Sequence, residues 1–166
     1  MKKILLLIIG IFIVVTFLAV CNDKMKARDT SFRVVTSEAI KKIRINEEEV
    51  FAALDIIDDE TIETRLGINK NYVTDYAIVT SLSNYSELIA LIKKDTDNVD
   101  DAIKALDLYI EDGIESFKQN EEDEYNKEMI ARYENVLKGE YKGYQMYIIS
   151  GDNANILKEV KKLIKD

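Results

Sequence analysis

The segment Asp95-Thr96-Asp97-Asn98-Val99-Asp100-Asp101 spaces side-chain oxygens as calcium-binding loops do. A helix–loop–helix calcium site needs an oxygen ligand at loop position 5, Gly at 6 and Glu at 12. Val99, Asp100 and Leu106 stand in those places and meet none of the three requirements. The same acids suit the start of a helix, where unpaired N–H groups and the dipole favour negative charge. Further acidic runs are Glu47-Glu48-Glu49, Asp58-Asp59-Glu60 and Glu121-Glu122-Asp123-Glu124. Two carboxylates flanking a glycosidic bond are a catalytic device that such a composition permits. With 31 acids in 166 residues, however, acidic runs are expected as solvated faces and helix starts. No catalytic residue is assigned.

Other chemistries are excluded by residue type. The chain has no His and one Cys. A Ser-His-Asp triad, a Cys-His pair and a His-ligated metal all need an imidazole. One Cys permits neither an intrachain disulfide nor a cysteine-rich zinc site. No Ser-x-x-Lys spacing occurs. The expectation is a non-enzyme with no metal and no cofactor. A net charge of −8 and a pI near 4.8 argue against nucleic acid as a partner.

Two further features bear on binding. Tyr125, Tyr133, Tyr141, Tyr144 and Tyr147 place five of the nine tyrosines in the last third of the chain. Tyr141, Tyr144 and Tyr147 are the candidate binding face, able to stack on cell-wall sugars or to receive a partner protein. A half-buried sheet would use the same residues. At the other end, Lys2 and Lys3 precede Ile4–Val20, a run without charge, and Cys21 follows. Positive residues before a long apolar run are the order of an export signal, and the run also approaches the length of a spanning helix. Leu18-Ala19-Val20-Cys21 resembles a lipobox, with Cys21 the possible lipidation site, although Val20 departs from the small residue usual there. An uncleaved signal anchor is the alternative. Either way residues 1–21 tether the chain to a membrane, residues 22–35 form a polar spacer, and residues 36–166 form the exported domain. Without its first 20 residues the chain carries ten excess acids, which predicts repulsion from an anionic leaflet.

The elements that must position these residues follow from periodicity. Glu38–Ile45 and Glu47–Ile57 read as helical, with Val50, Phe51, Leu54 and Ile57 at helix spacing. Asp58 or Asp59 caps a short helix that Gly67 ends. Val73–Leu82 and Leu88–Ile92 read as strands around a turn at Ser83–Ser86. Val99, Ile103, Leu106, Ile110, Ile114 and Phe117 mark the clearest helix, with Asn98 as its N-cap. A second helix starts near Glu124, with Tyr125, Met129, Ile130 and Tyr133 on one face. Asn135–Tyr141 then opens a hairpin around Lys142-Gly143, in preference to extending that helix, and Tyr144–Ile149 returns. Ser150–Asn153 turns the chain into a last helix with Ile156, Val160, Leu163 and Ile164 inward. The order β-β-α-(α)-β-β-α predicts an α+β domain, an antiparallel sheet packed against helices.

From Leu66-Gly67-Ile68, through the acidic helix start, to Lys142-Gly143-Tyr144-Gln145-Met146-Tyr147-Ile148-Ile149-Ser150, the chain resembles a known group. It is similar to domain of unknown function 4358, small anchored or lipidated proteins of Gram-positive bacteria, over roughly residues 59–166. The resemblance implies an α+β domain outside the cytoplasm and supplies no activity or site residues. The expected function is therefore that of a binding module of the bacterial cell envelope. Its expected partners are the membrane, through its N-terminal segment, and an envelope protein or polymer. A carboxylate-dependent hydrolase of envelope polymers is the alternative.

Overall fold

The computed structural model describes residues 35–45, 54–81, 87–94 and 97–164. The expected signal or anchor at 1–21, with Cys21, and the spacer up to Val34 lie outside those residues. In chain order the elements are α1 (Ser37–Ile45), β1 (Leu54–Ile57), α2 (Ile62–Leu66) and a 3₁₀ turn (Lys70–Tyr72). Then come β2 (Tyr76–Ser81), β3 (Leu88–Lys93), α3 (Val99–Lys118), α4 (Glu124–Glu134), β4 (Leu137–Tyr141), β5 (Tyr144–Ile149) and α5 (Asn153–Leu163). The five strands make one antiparallel sheet in the order β1-β2-β3-β5-β4. The domain is α+β, as the order of apolar patterns predicts.

Helices cover both faces of the sheet, so alternate residues of its central strands are buried in different cores. On β2, Tyr76 and Ile78 enter one core with Leu106, Ile110 and Phe117 of α3 and Met129 and Tyr133 of α4. Ala77 and Val79 enter the other with Ile40 of α1 and Ile156 and Val160 of α5. A strand buried on both faces needs a continuous apolar run rather than alternation, and Tyr-Ala-Ile-Val supplies one. The α3 stripe also matches its expected spacing, with Val99, Leu106, Ile110 and Phe117 buried and Ile103 and Ile114 packed at its margin.

One helix prediction is overturned. Leu54–Ile57 is strand β1, paired with β2 from Leu54↔Ser81 to Ile57↔Ile78. Leu54 and Ile57 are three apart, which suits a helix face. On a strand that interval puts them on opposite sides. Both are buried, Leu54 in the α1/α5 core and Ile57 in the α3/α4 core. A doubly covered sheet thus imitates helical spacing. Val50 and Phe51 lie outside the described residues, as does the expected turn at Ser83–Ser86. Its flanking strands nevertheless pair from Tyr76↔Ile92 to Thr80↔Leu88.

The local punctuation follows the chemistry of caps and turns. Asp58 Oδ1 accepts the backbone N–H groups of Glu60 and Thr61, both at 3.0 Å, and the Thr61 hydroxyl at 2.8 Å. The hydrogen bonds from Thr61 hold the Asp58 carboxyl below its ordinary pKa. Gly67 closes α2 in the left-handed conformation, φ 66°. Asp123 and Asp152 cap α4 and α5 through the N–H groups of Asn126 and Asn155. Asn98 precedes α3, but its side chain makes no cap hydrogen bond. Lys142 and Gly143 both have positive φ, 48° and 77°, and join β4 to β5 in the two-residue hairpin expected.

Candidate functional site

Tyr141, Tyr144 and Tyr147 do not form one accessible face. Tyr144 and Tyr147 are three residues apart on β5, which is paired on both edges, by β3 and β4. Their rings therefore enter opposite cores, with 1% and 2% of their surface exposed. Tyr141, half-buried on β4, lies directly across from Tyr144 on the α1/α5 side.

Tyr76, Tyr144 and Tyr147 find acidic partners instead, since a phenol taken out of water needs a hydrogen bond. Tyr144 Oη donates to Asp75 Oδ2, just ahead of β2, while Asp75 Oδ1 is buried and accepts no hydrogen bond. Lys93 Nζ lies 4.5 Å from the centre of the Tyr144 ring and donates to the Lys142 carbonyl at 3.0 Å. Tyr76 Oη donates to Asp59 Oδ1 at 2.6 Å. Tyr147 is hydrogen-bonded to Asp107 of α3, and Lys138 Nζ reaches the same carboxylate at 2.7 Å. Burial foremost, then the charge and hydrogen bond of Asp107, raises the Tyr147 hydroxyl far above the usual tyrosine pKa. These pairs fasten loops and helices to the sheet. The acids involved lie 17 to 69 residues from their tyrosines, so no local signal in the sequence singles them out.

What remains at the surface is Tyr141 among cations. Lys161 Nζ of α5 stands 5.1 Å from the centre of its ring and Lys142 Nζ 5.5 Å, both within cation–π range. Lys142 also donates to the Ile164 carbonyl at 3.3 Å, tying the hairpin to the end of α5. Lys158, Lys161 and Lys162 follow each other at helical intervals on the exposed side of α5, opposite buried Ile156 and Val160. Lys42 is exposed on α1, which packs beside α5. In α1 and α5 together, two acids stand against six bases; in α3 and α4, nine acids stand against four. Among the helices that cover the sheet, the excess of acids therefore lies on the α3/α4 side.

The acidic runs supply mainly caps and solvated surface. Asp100 and Asp101 occupy the first turn of α3. Glu121, Glu122 and Glu134, with Lys127, Ile130 and Ala131, line an open concavity of about 490 Å³ beside α4. All three glutamates are exposed, so water already solvates their carboxylates. Among the described residues no group of three His, Cys, Asp or Glu could hold a metal ion. Asp95 and Glu47–Glu49 lie outside the described residues. No helix among the described residues is long and apolar enough to cross a membrane.

A doubly covered antiparallel sheet with a basic and an acidic helical layer defines this as an α+β domain with electrostatically distinct sides. The family described as "Domain of unknown function (DUF4358)" matches residues 49–150, and the chain belongs to it. The match begins ahead of β1 and stops after β5. It therefore includes the strand that periodicity misreads as helix, and it leaves out α5, which the sequence resemblance takes in. No curated protein and no solved structure matches the chain.

Proposed function

We propose that the chain is a membrane-tethered binding module of the bacterial cell envelope, displayed outside the cytoplasm and without catalysis of its own. The observation that carries this reading is the basic and aromatic surface around Tyr141, exposed on one helical layer of an acidic chain. A surface that is laterally uniform in charge would need no such segregation, whereas complementary potential is how a docking face selects and orients a partner. The uncharged run Ile4–Val20 after Lys2 and Lys3 supports the tether.

Fractionation of cells expressing the full chain tests this reading. The chain should resist alkaline carbonate, enter solution with detergent, and be digested by protease added to intact protoplasts. Recovery in the soluble fraction, or protection from external protease, would contradict it. Labelled fatty acid distinguishes the two tethers. Incorporation that Cys21→Ser abolishes identifies a lipoprotein, and an unlabelled chain of 19.1 kDa in both forms identifies a signal anchor.

A further inference from the structure

The net charge of the exported part, if spread evenly, predicts that an anionic bilayer repels it. In the four helices that cover the sheet, charge is segregated by side. Bases outnumber acids six to two in α1 and α5. Lys42, Lys142, Lys158, Lys161 and Lys162 are all exposed there. Acids outnumber bases in α3 and α4, on the far side of the sheet. We propose that the α1/α5 face docks on the anionic headgroup surface of the membrane that tethers the chain, leaving the α3/α4 layer pointed away.

Three features favour a lipid surface as the occupant. The cations are distributed over two adjacent helices and a hairpin turn, which suits a broad charged plane. Tyr141, held between Lys142 and Lys161, is the residue type that sits at headgroup level, with an apolar ring and a polar tip. The separation of charge also makes orientation matter. Within a Debye length, about 8 Å at physiological salt, the leaflet attracts the near layer, while the acidic layer across the sheet is largely screened. The proposal rests on the tethered reading.

The test uses the full chain reconstituted into vesicles of phosphatidylcholine alone or of phosphatidylcholine with phosphatidylglycerol. The rate of modification by an amine-reactive reagent is read residue by residue. With the anionic lipid, Lys158, Lys161 and Lys162 should react on the order of ten-fold more slowly relative to Lys104 and Lys127 of the acidic layer. The difference should vanish near 1 M salt, where the screening length falls to about 3 Å. In the triple variant Lys158→Glu, Lys161→Glu, Lys162→Glu, protection of Lys42 and Lys142 should disappear while the chain stays in the vesicles. Equal relative rates on both vesicle types, with the chain retained by both, would overturn docking. Failure of either vesicle to retain the chain would overturn the tethered reading itself. Protection by soluble polyphosphate on neutral vesicles, without protection by the anionic lipid, would assign the face to a polymer and overturn the lipid assignment.

Discussion

The layer of α3 and α4 and the layer of α1 and α5 bury opposite faces of the same five strands with the same kind of side chain. Leu106, Ile110 and Met129 work on one side and Ile40, Ile156 and Val160 on the other. Their outer faces carry opposite charge. Packing is indifferent to what lies on the solvent side of a helix, so the two properties vary independently. A summed charge of −8 therefore describes neither layer. The layers differ also in their place in the chain. α3 and α4 fall within residues 49–150, which match the family, whereas α1 and α5 flank that segment on either side. The basic layer is nonetheless built into the sheet. Ser37 Oγ of α1 accepts the Ile78 backbone N–H at 3.0 Å, near the end of β1, where that strand stops providing partners for β2.

The largest test of this equivalence removes one core side chain from each layer. Leu106→Ala and Ile156→Ala should each lower stability by about 2–5 kcal/mol, because both sites are fully buried and leave cavities. As they lie on opposite faces, the double variant should show near-additive losses. Denaturant midpoints of the full chain in detergent check both. A small effect at Ile156 alone would reduce the flanking layer to an accessory.

A smaller effect is expected at Ser37. Ser37→Ala leaves a buried N–H of β2 without its acceptor and should cost about 1–3 kcal/mol. A silent substitution would break the claim that α1 is pinned to the sheet.

The smallest belongs to the Asp107–Tyr147 contact on the acidic side. Tyr147→Phe removes one hydrogen bond and should cost about 1 kcal/mol at neutral pH. Because the folded protein holds this hydroxyl's pKa above its ordinary 10.0, the unfolded chain releases the proton first. The phenol's contribution is thus complete below pH 10 and declines as pH rises beyond it. Melts across the alkaline range should show a flatter decline for Tyr147→Phe than for the parent.

Much of this architecture is legible in local sequence because its signals are short-range. The α3 stripe, the Gly67 stop and the Lys142-Gly143 turn are each decided by residues within a few positions. β1 is not, because Leu54 and Ile57 obey a helix interval that a two-faced sheet also satisfies. The tyrosine cluster misleads for the same reason, since Tyr144 and Tyr147 are neighbours in sequence and opposed across the sheet. The acids that hold those rings come from distant segments. The basic face around Tyr141 is hidden by averaging, and only the pairing of α1 with α5 and of the hairpin with α5 assembles it.

The orientation of the two layers at the membrane is the most direct test. The chain contains no tryptophan, so one introduced at an exposed position reports its own layer. Ala154→Trp marks α5 and Leu108→Trp marks α3, both at exposed sites. In phosphatidylglycerol-containing vesicles with dansyl-labelled headgroups, energy transfer should be strong from position 154 and weak from position 108. High salt should reduce the first and leave the second little changed. Equal transfer from both positions, or stronger transfer from position 108, would contradict the account.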